Sequence, residues 1–160
     1  MSAKIKTTVN IIGNSTVLTN KDYRKAIRWY ILEMCGKYLA TNIVIYFRLI
    51  NQLKIKEGVH ADCVWEERNI KPREFTIRID SSLNIKQQLI AIAHECVHVK
   101  QFARGELFDF YRDNPMMAKS RWKRRVYNTD YTKYKNQPWE VEATKLEKEL
   151  YRAYVKSNNE

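Results

Sequence analysis

Residues 73–105 read REFTIRID-SSL-NIKQQLIAIAHECVHVKQFARG, and this stretch decides the fold. Its first eight residues alternate between apolar and polar side chains, which predicts a half-buried strand over 73–80. Asn84 then provides a helix cap, with Gln87 as its capping partner three residues later. Apolar residues follow at helical spacing until Gly105, a natural helix stop, and predict an amphipathic helix. Its apolar stripe consists of Ile85, Leu89, Ile92, Cys96 and Val99.

Upstream of this stretch, the sequence predicts one helix and three strands. Thr19 and Asp22 form a capping pair, and the apolar side chains after them recur at helical spacing. β-branched and aromatic residues favour strands elsewhere. The predicted elements are a strand over 5–12, a helix over 20–40, and strands over 42–50 and 59–66. Short connections, including a turn from Arg68 to Pro72, favour an antiparallel meander that ends with strand 73–80.

Downstream of the central helix, residues 106–138 are irregular, aromatic and basic, and they predict a long loop. Pro138 suits the first turn of a helix, and the apolar spacing predicts a final helix that ends near Val155. No shift in composition divides the chain. The sequence therefore predicts a single α+β domain over residues 1–160. Its parts are an N-terminal helix, a small antiparallel or mixed sheet, a central helix, a long loop and a C-terminal helix.

The composition limits the classes of partner and compartment. The 160 residues carry a net charge of +11, from 29 basic and 18 acidic side chains. This excess favours nucleic acid, an acidic protein or a membrane surface as a partner, although a merely basic protein is the alternative. Three widely spaced cysteines form no disulfide framework and indicate a reducing compartment. The lack of a signal peptide and of a long apolar run predicts a cytoplasmic protein with no membrane partner.

The motif His94-Glu95-Cys96-Val97-His98 lies on the predicted central helix. His94 and His98 are four residues apart and project from the same face, so both imidazoles can bind one metal ion. Glu95 is placed to act as general base on a metal-bound water, whose pKa zinc lowers to about 7. This pattern predicts metal-assisted hydrolysis. Cys96 points away from the histidine pair and is expected in the core.

A catalytic zinc site needs a third protein ligand beside an open position. No histidine follows His98, so a ligand further along the chain must be a carboxylate. Glu140 and Glu142 are the candidates, at the start of the final helix. Because they are two residues apart, they cannot share a helical face, so one can face the metal while the other faces away.

The combination of His94-Glu95-x-x-His98 with Glu140-Val-Glu-Ala143 resembles the gluzincin metallopeptidases. It is most similar to the compact minimal gluzincins of phage and bacterial genomes, over roughly residues 73–155. The resemblance implies a zincin-like fold, a Zn²⁺ cofactor and hydrolysis of peptide bonds in a protein or peptide substrate. It also implies that His94, His98 and Glu140 bind the zinc and that Glu95 activates water.

The resemblance carries two further expectations. In zincin folds an edge strand pairs with the extended substrate, so peptide would lie along Phe75, Ile77 and Ile79, the alternative being an ordinary sheet strand. The usual Asp or Asn after the Glu-x-x-Ala pattern is Thr144 here. That position often supports a zinc-bound histidine, and Glu142 or Asp80 would have to replace it.

Residues 112–135 hold eight basic and two acidic side chains, with aromatic residues between them. They suit an active-site lid in which Tyr131 or Tyr134 donates to the oxyanion. They also suit a nucleic-acid-binding segment or a solvated loop. The function that we expect first is a zinc metalloendopeptidase. The alternatives are a basic, DNA-associated protease and a non-enzymatic zincin-like binding module or phage structural component.

Overall fold

The computed structural model describes residues 6–67, 70–110 and 118–160. Within these ranges the chain is α+β, as predicted, with helices packed on a mixed sheet and a second, small sheet. In chain order the elements are β1 (Thr8–Ile12), α1 (Asn20–Thr41), β2 (Val44–Ile50), α2 (Leu53–Glu57), β3 (Ala61–Trp65), β4 (Glu74–Asp80), α3 (Ile85–Ala103), β5 (Leu107–Asp109), β6 (Lys119–Trp122), β7 (Arg125–Asn128) and α4 (Pro138–Asn158).

The larger sheet has the strand order β1-β2-β4-β3. Strands β1, β2 and β4 are parallel, and β3 is antiparallel to β4 at one edge. The predicted meander is therefore wrong, because β2 pairs with β4 and does not pair with β3. Two apolar runs explain this arrangement: Ile45 and Phe47 lie level with Phe75 and Ile77, and all four side chains are fully buried. A parallel pair needs a long crossover, which α2 and β3 supply.

The expected contact of peptide with β4 is also wrong. Phe75, Ile77 and Ile79 are 0% exposed, so their side chains belong to the core and cannot contact a substrate. The backbone of β4 is hydrogen-bonded to β2 on one side and to β3 on the other, which leaves no edge for an added strand. Among the described strands, β3 and β1 form the edges of this sheet.

Capping boxes start the two helices for which they were predicted. Thr19 and Asp22 cap α1, and Asn84 and Gln87 cap α3, each pair satisfying backbone N–H groups of the first turn. Helix α3 ends at Ala103, and Gly105 follows two residues later with a φ of 70°, which suits glycine after a helix end. Its apolar face is buried against the sheet and α1, and Cys96 is in the core as predicted. Helix α4 packs along α3.

The predicted long loop contains a three-stranded antiparallel sheet, β5-β6-β7. Its alternation is hidden in the sequence because β6 reads Lys-Ser-Arg-Trp, in which the inward side chains are a serine and a tryptophan. Trp122 and Tyr127 pack against Trp139 at the start of α4, with ring centroids 6.4 and 5.9 Å away, and fix the small sheet beside α4.

The loop residues 111–117, like residue 5 of the predicted first strand and residues 68–69 of the predicted turn, lie outside the described residues. No helix in the described ranges is long and apolar enough to cross a membrane.

Candidate metal centre

Helices α3 and α4 bring His94, His98 and Glu140 together. His94 and His98 lie one turn apart on the face of α3 that meets α4, and Glu140 lies in the first turn of α4. The two histidine Nε2 atoms are 3.2 Å apart. Glu140 Oε2 is 3.2 Å from His94 Nε2, and Glu140 Oε1 is 3.2 Å from His98 Nε2. The three residues thus form a group that could hold a metal ion.

The donor atoms of these residues suit one tetrahedral ion. Bonds of about 2.0–2.2 Å to nitrogen and oxygen place neighbouring ligand atoms of a tetrahedral site about 3.3–3.6 Å apart. The two Nε2 atoms are 3.2 Å apart, close to that value, and each lies 3.2 Å from a different oxygen of the Glu140 carboxylate. Two histidine nitrogens and one carboxylate would supply three protein ligands, and the fourth position of the tetrahedron would remain for water or substrate, which is the composition of a catalytic centre.

The hydrogen bonds behind the histidines fix their tautomers. His94 Nδ1 donates to Glu147 Oε2 over 2.8 Å, and His98 Nδ1 donates to Gln101 Oε1 over 2.8 Å. The amide nitrogen of Gln101 donates to Trp139 O and to a Glu142 oxygen, so its Oε1 can only accept. Both Nε2 lone pairs therefore face the same point, as metal ligation requires.

These outer partners correct one expectation from the sequence. Glu147, and not Glu142 or Asp80, supports a ligating histidine directly. Glu142 accepts a hydrogen bond from Gln101, while Asp80 accepts hydrogen bonds from Lys54 N and from Ser82. Sequence reasoning missed Glu147 and Gln101. The available signal was their spacing, because Glu147 lies two helical turns after Glu140.

The hydrogen bonds between the histidines and the carboxylates shift the pKa values of the candidate ligands. Burial alone would lower the pKa of His94, but hydrogen bonds to Glu140 and Glu147 outweigh it and raise this pKa to about 10. Burial alone would raise the pKa of Glu140, but hydrogen bonds from both histidines lower it to about 2. A cation at this position therefore displaces a proton, and metal affinity must fall as the pH falls.

Glu95 lies beside the three candidate ligands and is only 6% exposed. Burial is the main reason that the pKa of its carboxyl is raised, to about 7, and the neighbouring histidines oppose the shift. A carboxyl that titrates near neutral pH can both accept and return a proton there.

Two cavities flank the metal position and share Glu95 and Tyr134 in their walls. The His98 cavity, of about 540 Å³, is bounded by β3, the small sheet and the start of α4. The His94 cavity, of about 650 Å³, continues along α3 past Ile90 and Ala91. Because both cavities also include Ala61 of β3, the ligands lie in the middle of one cleft beside the free edge of that strand.

The sequence did not decide between Tyr131 and Tyr134 as the oxyanion donor, and their positions in the structure differ. Tyr131 is 88% exposed and lines neither cavity. Tyr134 is 66% exposed as a residue, but its hydroxyl is hydrogen-bonded to Glu140 and faces both cavities. Burial of this hydroxyl and the nearby Glu140 charge raise the pKa of Tyr134, so it remains a proton donor over the physiological range. Of the two predicted oxyanion donors, only Tyr134 is close to the ligands.

No protein-family model, curated protein or solved structure matches this chain. The chemistry of the site follows from its own groups. Two imidazoles and one carboxylate converge on a single point. A buried carboxyl and a phenol stand beside that point, and an open cleft runs past it.

Proposed function

We propose that this chain is a zinc-dependent metallopeptidase of the gluzincin type, with a zincin-like fold. Two histidine nitrogens and one carboxylate suit zinc among the common biological metals. The observation that carries the proposal is the convergence of His94, His98 and Glu140 next to Glu95 in an open cleft. When bound, zinc supplies an acidified water and a polarised carbonyl.

The side chains around that point divide the remaining work of hydrolysis. Glu95 takes the proton of the attacking water and returns it to the leaving amine. Tyr134 donates its hydroxyl hydrogen bond to the carbonyl oxygen as negative charge develops there. Glu147 and Gln101 hold the two imidazoles in the ligating tautomer throughout.

The substrate proposed for this cleft is an extended peptide. Among the strands that the structure describes, β3 pairs only with β4, and its first residue, Ala61, lies in the wall of both cavities. A peptide added to this edge would receive main-chain hydrogen bonds and pass the metal position. This assignment replaces β4 with β3 as the strand that contacts substrate.

Metal content and catalysis can be tested separately. Elemental analysis of the purified chain should give about one zinc per molecule. Glu140→Ala should lose the metal, and Glu149→Ala, at an exposed position of the same helix, is the matched control that should retain it. Glu95→Gln should retain zinc and lose cleavage of a broad peptide mixture, since only the base is removed.

Different results would reject different parts of the proposal. An absence of zinc after reconstitution would reject the metal site. Full peptide cleavage by Glu95→Gln would reject the mechanism. Stoichiometric zinc in a wild-type protein that cleaves no peptide or protein would instead favour the non-enzymatic binding module.

A further inference from the structure

The second feature with functional chemistry is the hairpin of the small sheet. Residues 119–128, which comprise β6, a two-residue turn and β7, read KSRWKRRVYN, and we call them the basic hairpin. They carry five basic side chains and no acidic one. Among the described residues, only Lys123 of these five has a carboxylate within 4.0 Å, namely Glu106 at 3.8 Å. Within the described part of the chain, most of this positive charge therefore has no carboxylate beside it.

The two turn residues of the basic hairpin are both basic, although their backbone conformation favours glycine. Lys123 and Arg124 have φ values of 45° and 75°, both in the left-handed region. Two-residue hairpin turns with this geometry favour Asn-Gly, because glycine adopts positive φ without a steric cost. Non-glycine residues are uncommon in this region, because the side chain is sterically crowded there. Basic side chains are thus present at the tip despite the backbone preference, which points to a use for their charge.

The outer face of the small sheet holds basic side chains at a regular spacing, with an aromatic ring beside them. Trp122 and Tyr127 pack inward on α4, so the alternating positions Lys119 and Arg121 face outward. Side chains two apart on a strand are roughly 6.7 Å apart. This separation is close to that of successive phosphates in one nucleic-acid strand. The Arg121 guanidinium lies over the ring of Phe108 at 5.4 Å, on the neighbouring strand.

We propose that the basic hairpin binds the phosphate backbone of a nucleic-acid strand. Unpaired lysines and arginines at phosphate spacing supply the electrostatic attraction, and the net charge of +11 steers a polyanion toward the protein. Aromatic surface beside the cations distinguishes nucleic acid from an acidic peptide, because bases stack on aromatic rings. No group of the metal centre is involved, so the site is independent of the proposed peptidase activity.

A double substitution in the turn removes two charges and at the same time gives the turn residues that its backbone conformation favours. Replacing Lys123→Asn together with Arg124→Gly creates the favoured turn sequence, so the hairpin should fold at least as well. The matched control, Lys145→Gln with Lys148→Gln, removes the same charge from exposed positions of α4. The full-length proteins would be titrated into a fluorescein-labelled single-stranded oligonucleotide of mixed sequence, over a salt series, with anisotropy as the readout.

Wild type should bind at low salt. The hairpin variant should bind about tenfold more weakly, and its slope of log affinity against log salt should fall by about 1.4, from two lost contacts at about 0.7 each. The α4 control should match wild type. No binding at low salt, wild-type binding by the hairpin variant, or an equal loss in the control would overturn the proposal. Equal competition by polyglutamate of matched charge would assign the hairpin to acidic proteins and overturn it as well.

Discussion

The metal ligands depend on side chains that do not touch the metal position. Glu147 accepts the Nδ1 proton of His94, and Gln101 accepts that of His98, so each holds one ring in the tautomer that ligates. Removing such a partner typically costs 10–100-fold in metal affinity. The site is therefore a set of at least five cooperating residues on two helices, although only three of them are ligands.

Glu147→Gln should weaken zinc binding by about tenfold or more, because a neutral amide is a poorer acceptor for the His94 proton than a carboxylate. A competitive titration against a chromophoric chelator measures this directly. Glu149→Gln, an exposed carboxylate on the same helix, is the matched control and should leave the affinity unchanged. Equal affinities for Glu147→Gln and wild type would show that the orientation of His94 depends on packing alone.

At the scale of elements, α1, α3 and α4 could be predicted from the sequence, whereas the short helix α2 was missed and the sheets were predicted only in part. Both capping boxes are local and decide where α1 and α3 begin. The order of the strands depends on pairing between residues distant in sequence, so the pattern of β2 and β4 could not show that they are parallel neighbours. The small sheet was missed because its outward residues are basic and its inward residues are few.

Some residues of the candidate site could be predicted from local sequence patterns, and others could not. His94, Glu95 and His98 follow from their helical spacing, and Glu140 from the second motif. The choice of Tyr134 over Tyr131 depends on the path of the chain before α4, for which no periodic pattern exists.

The Asp80 carboxylate accepts hydrogen bonds that stabilise the crossover between β2 and β4. Its Oδ2 accepts from Lys54 N at the start of α2, and its Oδ1 accepts from the backbone N–H and hydroxyl of Ser82. Burial alone would raise the pKa of Asp80, but these hydrogen bonds outweigh it and lower the pKa below 3.8. The carboxylate therefore stabilises the fold above the unfolded pKa, and this contribution is lost as the pH falls through the lower, folded pKa.

Asp80→Asn should reduce the free energy of unfolding by about 1–3 kcal/mol at pH 7, since an amide NH₂ would face a backbone donor. The difference from wild type should shrink on acidification below the folded pKa, and urea unfolding at a series of pH values measures both effects. Asp130→Asn, at an exposed position, serves as control. A destabilisation that is constant down to the lowest pH would exclude ionisation as its cause.

On the scale of the whole molecule, a bound ion would link α3 to α4 across 46 residues of sequence. A ligand at about a thousand times its Kd contributes about 4 kcal/mol of stability. For a chain of this size each kcal/mol corresponds to about 2–4 °C. Chelation of zinc should therefore lower the Tm by about 10 °C, measured by calorimetry. Glu95→Gln should show the same shift, whereas His98→Ala should show none, and a chelator-insensitive Tm in wild type would contradict the link.

The link between α3 and α4 has a consequence for the lifetime of the protein. A chain without a bound ion would keep α4 in place by packing and by the hydrogen bonds between α3 and α4, since no metal bond would close the 46-residue segment. Such a chain should open more often, and opened chains are the ones that cellular degradation removes first. Molecules without metal should thus be cleared faster than those with it, so that turnover itself enriches the population that carries metal.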